Sequence, residues 1–364
     1  MNFREINRKK NLALRSLKAR IGKFLFDKRN QNTFIPSKIK EIRKIIYLRN
    51  DGKLGDMIIS SISFREMKKL LPSAQITVIA AEQTKELAET NPNINSVYIY
   101  KRSFFSIIKL GIKLRRENPD LYIDMDEANT IETLLLLRLI NPKFALGFNR
   151  EKFKLYNINI PFRDKSAHIT DWHKAVFERL GLINKAGKFD KQYDVFIPEQ
   201  VMNTAKKFIS KLPEAKKNII FNMFAASYHK SFCAQQLLNL AKELTDFNII
   251  LVGRYNDIEK IKKELLLPGN VFYPSKSDYQ TCGFSLTSAI IKMSDFVITP
   301  DTSIVHISSA FNKPTIAVYN SNMPYLTEKW RPMSDKTIII NTKEDFNKLD
   351  IREMIENVNS CMTN

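Results

Sequence analysis

Cysteine is scarce in this chain. Cys233, Cys282 and Cys361 are three of 364 residues and stand too far apart for a metal-binding cluster. A sparse, odd count argues against a disulfide framework and suits a reducing compartment, so the expected location is cytoplasmic. Long apolar runs are missing too. No stretch approaches the roughly 20 apolar residues that cross a bilayer, so membrane contact is expected to be peripheral. The first residues are basic but lack an unbroken apolar core, and they do not read as a secretory signal. A P-loop, a G-x-G-x-x-G fingerprint, zinc-finger spacing, an RNP pattern and a heptad-coupled basic region are all absent. There is no solenoid-length repeat and no low-complexity tract.

Hydrophobic residues make up 44% of the chain and aromatics 10%, enough for two domains to bury a core each. The formal charge is +20, and it is uneven. Residues 1–44 hold fourteen Lys/Arg against Glu5, Asp27 and Glu41, a local charge of +11. Such a segment seeks polyanions: nucleic acid, anionic lipid or a phosphorylated glycolipid. Residues 10–26 read as a basic amphipathic helix, with Leu14, Leu17, Ile21, Phe24 and Leu25 at helical spacing. It suits either a lipid headgroup layer or a packed position on the protein body.

From residue 44 the pattern becomes short β-rich runs alternating with helices. The strands expected are 44–48, 75–80, 96–100, 121–125 and 144–148, with helices near 56–71, 82–90, 104–117 and 127–140. A polar, helical stretch follows over 165–212. A second series then has strands at 218–223, 248–252, 271–273, 296–299, 315–319 and 337–341. Its helices lie near 234–245, 256–266, 284–293 and 303–311, and a last one near 344–358. Alternation of this kind means β-α-β units and mostly parallel sheets. The expected domains are a basic extension over 1–43, Rossmann-like domains over 44–190 and 191–342, and a C-terminal helix over 343–364. Two doubly wound domains are expected to face a cleft, with ligands outside the carboxyl ends of their strands.

The exits of those strands carry the candidate chemistry. After the first strand come Gly52, Lys53, Gly55 and Asp56. Asp56 is a carboxylate at a helix start, fitting an N-cap or a cleft-facing group. Asp124 and Asp126 form a D-x-D that lines the cleft or, less simply, holds a metal; nothing else suggests a divalent-ion site. Ser227 and Lys230 follow a small-residue turn and offer a phosphate a donor and a cation. Gly253 permits close approach at a strand end, and Asn256 or Asp257 suits ribose hydroxyls or a helix cap. The run Thr299-Pro300-Asp301-Thr302-Ser303 ends a buried strand and opens a helix. Its first amide groups, with the hydroxyls of Thr302 and Ser303, make a site for a diphosphate. His306, one turn on, offers another donor.

Several of these pieces together resemble a known family. Arg49–Asp56, then Phe64-Arg65 and Leu71-Pro72-Ser73-Ala74, look like the start of glycosyltransferase family 9, the lipopolysaccharide heptosyltransferases. Asn91-Pro92-Asn93-Ile94 is similar to its N-P-x-(I/V)-D segment, and Lys230-Ser231-Phe232 to its K-x-W stretch. Ser294 to Ala310, with Lys313-Pro314-Thr315, resembles its D-T-G-x-x-H-x-A-A signature. The likeness spans about 44–335. Ser303, Phe232 and Ser63 stand where the family commonly has Gly, Trp and Pro.

The resemblance implies a GT-B fold, with the acceptor on the first domain and a nucleotide-sugar, usually ADP-heptose, on the second. It implies inverting transfer with no metal and no cofactor. Asp56 becomes the general base. Ser227, Lys230, Thr302, Ser303 and His306 would hold the departing diphosphate. Asp301 would fix the loop or a sugar hydroxyl, and Gly253, Asn256 and Asp257 would contact the nucleoside. Lys53, Asp124 and Asp126 would line the acceptor side. The expected partners are the nucleotide-sugar, a lipid-linked oligosaccharide acceptor and an anionic inner-leaflet surface rather than nucleic acid. The competing readings are another nucleotide-sugar donor, a sugar-nucleotide epimerase, a nucleic-acid-binding protein and an inactive scaffold.

Overall fold

The computed structural model describes residues 20–28, 32–126 and 130–362. It divides into two compact units. The first comprises Met1–Lys53, Ser63–Asp164 and Asp171–Asp190, and the second Leu54–Ile62, Lys165–Thr170 and Lys191–Asn364. The division runs through one helix, Leu54–Leu70, whose first nine residues belong to the second unit.

The first unit is built on a six-stranded sheet: β1 (Lys44–Arg49), β2 (Gln75–Ala80), β3 (Ser96–Ile99), β4 (Leu121–Asp124), β5 (Phe144–Phe148) and β6 (Ile158–Ile160). The order is β3-β2-β1-β4-β5-β6 and every pairing is parallel. A strand covered on both faces is mostly apolar, and in β1 Ile45, Ile46, Tyr47 and Leu48 are all buried. The helices Phe104–Arg116 and Ile131–Ile140 pack closely on one face. A Cβ at Gly111 would stand 2.5 Å from the Cβ of Leu139, so only glycine allows that approach. Thr130 caps the second of these helices by accepting from the Thr133 amide, and Asn141 ends it in the left-handed conformation.

The second unit repeats the plan with β7 (Lys217–Phe221), β8 (Phe247–Leu251), β9 (Val271–Phe272), β10 (Phe296–Pro300), β11 (Thr315–Asn320) and β12 (Thr337–Thr342). Its order is β12-β11-β10-β7-β8-β9, again all parallel. The helix Arg352–Met362 contributes Met354 and Val358 to the same core as Phe221, Ile249 and Ile298. In each sheet the chain starts centrally, winds to one edge, then returns to wind to the other. The winding reverses between β1 and β4, and between β7 and β10. That switch point is where doubly wound sheets leave a crevice for ligands.

The structure departs from the sequence reading at several places. Residues 20–26 are helical, whereas 10–19 of the expected basic helix lie outside the described residues, as do 127–129. The helix expected over 284–293 continues back to Lys276, with a break at Gly283, where φ is 54°. Strand β6 has three residues, too few for a periodic signal. Among the described residues no helix is long and apolar enough to cross a membrane.

Candidate functional site

Asparagine 222, just beyond β7, organises the switch point of the second unit. Its buried amide donates to the Thr299 hydroxyl at 2.9 Å and to the Thr302 hydroxyl at 3.1 Å. The exits of β7 and β10 are thereby tied together. Thr302 is the N-cap of the helix Ser303–Ala310, accepting from the Ile304 amide at 3.3 Å. The first amides of this helix have no carbonyl within it to bond, and the helix dipole adds positive potential there.

These groups open on a cavity of about 950 Å³ in the second unit. Thr302, Ser303, Ser231, Gly253, Asp257 and Tyr279 all contribute to its wall. Gly253 admits a neighbour of its own chain: a Cβ there would lie 2.4 Å from Cδ2 of Phe224. Tyr279 is largely buried, and burial pushes its phenol up to about 12. The wall also takes in Leu54, the first residue of the helix that carries Asp56.

Lys230 lies on the loop after β7, with Nζ 3.2 Å from Asp301 Oδ2; the two side chains are 40% and 28% exposed. The ion pair fixes a cation beside the start of the Ser303–Ala310 helix. Ser227 is on the same loop but exposed, and its carbonyl accepts from Ser231 Oγ. It is the Ser231 side chain that reaches the cavity wall, while also accepting from the Ala225 amide. Phe232, next in line, is buried in the core and stacks on Phe221 with ring centroids 5.3 Å apart.

His306 is one turn into the Ser303–Ala310 helix, as its spacing suggested, but it is not part of the cavity wall. It is buried between Tyr193 and Trp330, whose rings meet it edge-on at 5.8 and 6.1 Å. It also abuts the opening of the Leu54–Leu70 helix: a Cβ on Gly55 would stand 2.8 Å from its Cδ2. Burial pushes the imidazole down to about 4, with the Asp56 carboxylate pulling it back up and His168 pushing it further down. It is therefore uncharged near neutral pH. Its Nδ1 has no hydrogen-bond partner among the described residues. The structure brings His306 to Asp56, one turn below the amides at the helix start.

The remaining candidates separate. Asp56 does not cap its helix: Lys53 occupies the N-cap, where its side chain makes no capping bond, and Asp56 follows within the first turn. Lys53 is exposed, and its amide donates to Asp51 Oδ1. Asp257 is likewise inside its helix, where Arg254 is the N-cap, and Asn256 is exposed outside the cavity wall.

Asp124 corrects the D-x-D reading. It is 1% exposed, 3.3 Å from Arg150 Nη2, and accepts from the Tyr156 hydroxyl and the Asp126 amide. Burial pushes its carboxyl up against the pull of Arg150. It faces a buried ion pair, not a cleft. Asp126 lies beyond β4, and its carbonyl accepts from Arg150 Nη2. No three His, Cys, Asp or Glu residues among those described are grouped to hold a metal ion. A second cavity, of about 440 Å³, lies in the first unit at the exits of β1, β2 and β3. Asn50, Asp51, Gln83, Tyr100 and Arg102 help to line it, none of them singled out from the sequence. Their signal was position alone: each follows or ends a strand.

Comparison with known proteins agrees with this architecture. The family description "Glycosyltransferase family 9 (heptosyltransferase)" matches residues 107–358. The chain is 27% identical over 351 residues to an Escherichia coli (strain K12) protein provisionally named lipopolysaccharide heptosyltransferase 4, covering 93% of this chain and 92% of that one. It is 22% identical over 320 residues to the lipopolysaccharide core heptosyltransferase OpsX of Haemophilus influenzae, covering 85% and 88%. Among solved structures, the family 9 glycosyl transferase of Veillonella parvula superposes with a TM-score of 0.73 at 18% identity, covering 88% of this chain and 97% of that one. The E. coli ADP-heptose lps heptosyltransferase II gives 0.70 at 18% identity, covering 88% and 98%. Two Rossmann-like units, a cavity of about 950 Å³ at the second switch point and a match over most of the chain converge: this chain belongs to glycosyltransferase family 9 and is a glycosyltransferase.

Proposed function

We propose that this enzyme transfers a heptose from ADP-heptose to a sugar hydroxyl of a lipopolysaccharide or lipooligosaccharide core, with inversion and without a metal ion. The observation that carries the reading is the wall of the larger cavity. It joins a helix N-terminus bearing Thr302 and Ser303 to Leu54, two residues ahead of Asp56. An anion site and a carboxylate-bearing turn therefore border one space. The names of the relatives support heptose as the sugar.

In this reading the acceptor hydroxyl oxygen attacks the anomeric carbon, and Asp56 takes the hydroxyl proton. The bond from that carbon to the ADP oxygen breaks, and the electron pair leaves with the diphosphate. Charge grows on that group in the transition state, so cations and amides fixed beforehand stabilise it most. Lys230, held by Asp301, supplies the cation. Thr302, Ser303 and Ser231 supply donors, with Ser227 on the same loop. His306, being uncharged, positions the turn that carries Asp56 instead of neutralising phosphate. Gly253, Asp257 and Tyr279 border the nucleoside end, with Asn256 nearby. Lys53 and Asp126 belong to the acceptor side, where the smaller cavity suits a sugar. The acceptor is lipid-linked, met at the cytoplasmic face of a membrane. The local charge of +11 over 1–44 supports this, since each basic residue near an anionic surface contributes roughly 1 kcal/mol.

The decisive measurement is transfer from ADP-heptose to purified heptose-deficient core acceptor, with UDP- and GDP-sugars alongside and EDTA present throughout. ADP-heptose should serve and the others should not. Asp56→Asn should abolish turnover while leaving protection from thermal unfolding by ADP-heptose intact. Lys230→Ala should lose that protection. Selective use of another sugar nucleotide would discard heptose but keep the mechanism, and activity lost to EDTA would discard the metal-free reading.

A further inference from the structure

The helix Phe104–Arg116 presents an unusual face to solvent. Ile107, Gly111 and Leu114 are buried and turn inward. Advancing 100° per residue, the opposite pole carries Phe105, Lys109, Ile112 and Arg116 in line. An outward pole is ordinarily polar throughout. Here Phe105 is 81% exposed and its neighbour Phe104 59%, their rings in edge contact at 6.1 Å. Contiguous exposed apolar groups ringed by polar ones mark an interaction surface.

The charge along this segment has one sign. Residues 101–116 contain six Lys/Arg and no Asp or Glu. Glu117, the first acid beyond them, accepts a hydrogen bond from the Tyr98 hydroxyl. The short helix over 20–26 packs on the same neighbouring helix as Phe104–Arg116. It meets the helix Ile131–Ile140 at Ile131, where a Cβ on Gly22 would stand 2.9 Å from the Ile131 Cα. The Phe104–Arg116 helix meets that same helix at Leu139. Phe24 on 20–26 is 90% exposed, and Leu25 and Arg20 are exposed beside it. A helix pole is convex, so it offers no groove for a peptide. Aromatic rings flanked by lysine and arginine suit the boundary of headgroups and acyl chains, where the rings enter and the cations stay outside.

We infer that the Phe104–Arg116 helix, together with the exposed side of 20–26, docks the enzyme on an anionic lipid bilayer. This rests on the reading of a membrane-linked acceptor. Vesicle binding, however, is measured without donor or acceptor, so either idea can fail without the other. The test is co-sedimentation of the full chain with vesicles of phosphatidylglycerol and phosphatidylethanolamine, against vesicles of phosphatidylcholine alone. Binding should be selective for the anionic vesicles and weaken with salt. The Phe104→Ser/Phe105→Ser variant should lower the partition coefficient about tenfold or more. It should melt like wild type and keep full activity on a lipid-free acceptor. The indole of a Phe105→Trp variant bound to vesicles should be quenched by brominated acyl chains. Unchanged partitioning of the double serine variant would overturn the inference, whatever else held the protein to the vesicle. So would an unquenched indole in the Phe105→Trp variant, or no binding to anionic vesicles at all, as expected if a protein partner covered the patch.

Discussion

Gly55 lies against the imidazole of His306 so closely that a single added methyl would stand 2.8 Å from Cδ2. The ring cannot easily give way, because Tyr193 and Trp330 hold it edge-on from other directions. The position of Asp56, the residue after Gly55, is thus tied to a buried histidine far later in the chain. Gly55→Ala is expected to displace the first helical turn and lower kcat at least tenfold with little change in donor KM. Overpacking of this kind costs about 1–3 kcal/mol. Steady-state kinetics beside urea unfolding checks both, and a wild-type kcat would dissociate His306 from the placement of Asp56.

His306 also sets a pH dependence of stability. Burial lowers its folded-state value to about 4, from 6.5 for a free imidazole. Between these values the unfolded chain binds the proton and the folded one does not. Stability from this group is therefore complete above pH 6.5 and falls as the pH drops towards 4, by up to about 3 kcal/mol. Denaturant unfolding across that range should show the slope in wild type and a flatter one in His306→Gln. Equal slopes would assign the pH dependence to other groups.

Asp301 is expected to act through Lys230. Its carboxylate holds Nζ at 3.2 Å, and both groups are partly exposed, so the pair contributes little to stability. Asp301→Asn should leave the melting temperature nearly unchanged and weaken ADP-heptose binding severalfold, because the lysine loses its tether. Lys230→Ala should cost about a hundredfold or more in turnover, the usual loss when a fixed transition-state cation or donor is removed. Equal losses in the two variants would mean that Asp301 touches the substrate itself.

The sequence made the two sheets legible because β1, β7 and β10 are apolar runs sandwiched on both faces, so their residues carry the signal unaided. The strand exits were legible for the same reason, and with them the positions of Lys230 and Asp301, which pair, and of Thr302 and Ser303 on the cavity wall. What escaped depends on partners distant in sequence. Asp124 reads as a cleft acid until Arg150 and Tyr156 are brought onto it. His306 reads as an anion's donor until Gly55 and Trp330 enclose it. Asn222 was missed because a polar residue at a strand end is common, and only the two hydroxyls it binds distinguish it. Strand β6 was missed because three residues carry no period.

Gly253 offers a test of the nucleoside end. The Phe224 ring sits where a side chain at 253 would have to go, 2.4 Å from the Cβ that an alanine would add, and both residues border the larger cavity. Gly253→Ala is expected to push the ring into that cavity and weaken ADP binding by at least tenfold. Phe224→Ala alone removes ring contacts and should weaken binding to a smaller extent. The double variant should recover much of the loss of Gly253→Ala, a coupling that a double-mutant cycle measures directly. Additive losses would show that the glycine is required for its backbone, at φ 155°, and not for the room it leaves to Phe224.

The buried Asp124–Arg150 pair should matter for folding and not for chemistry. Arg150 is 3% exposed, and removing either partner strands a charge away from water. Loss of one member of such a pair costs about 3–5 kcal/mol. Arg150→Met is expected to melt well below wild type, and Asp124→Asn somewhat less so, since the amide keeps a hydrogen-bonding oxygen for Tyr156. The fraction of either variant that remains folded should transfer sugar at the wild-type rate and respond to EDTA as wild type does. If Asp124→Asn folded normally and lost turnover or acquired a metal requirement, the carboxylate would have to be returned to the acceptor site.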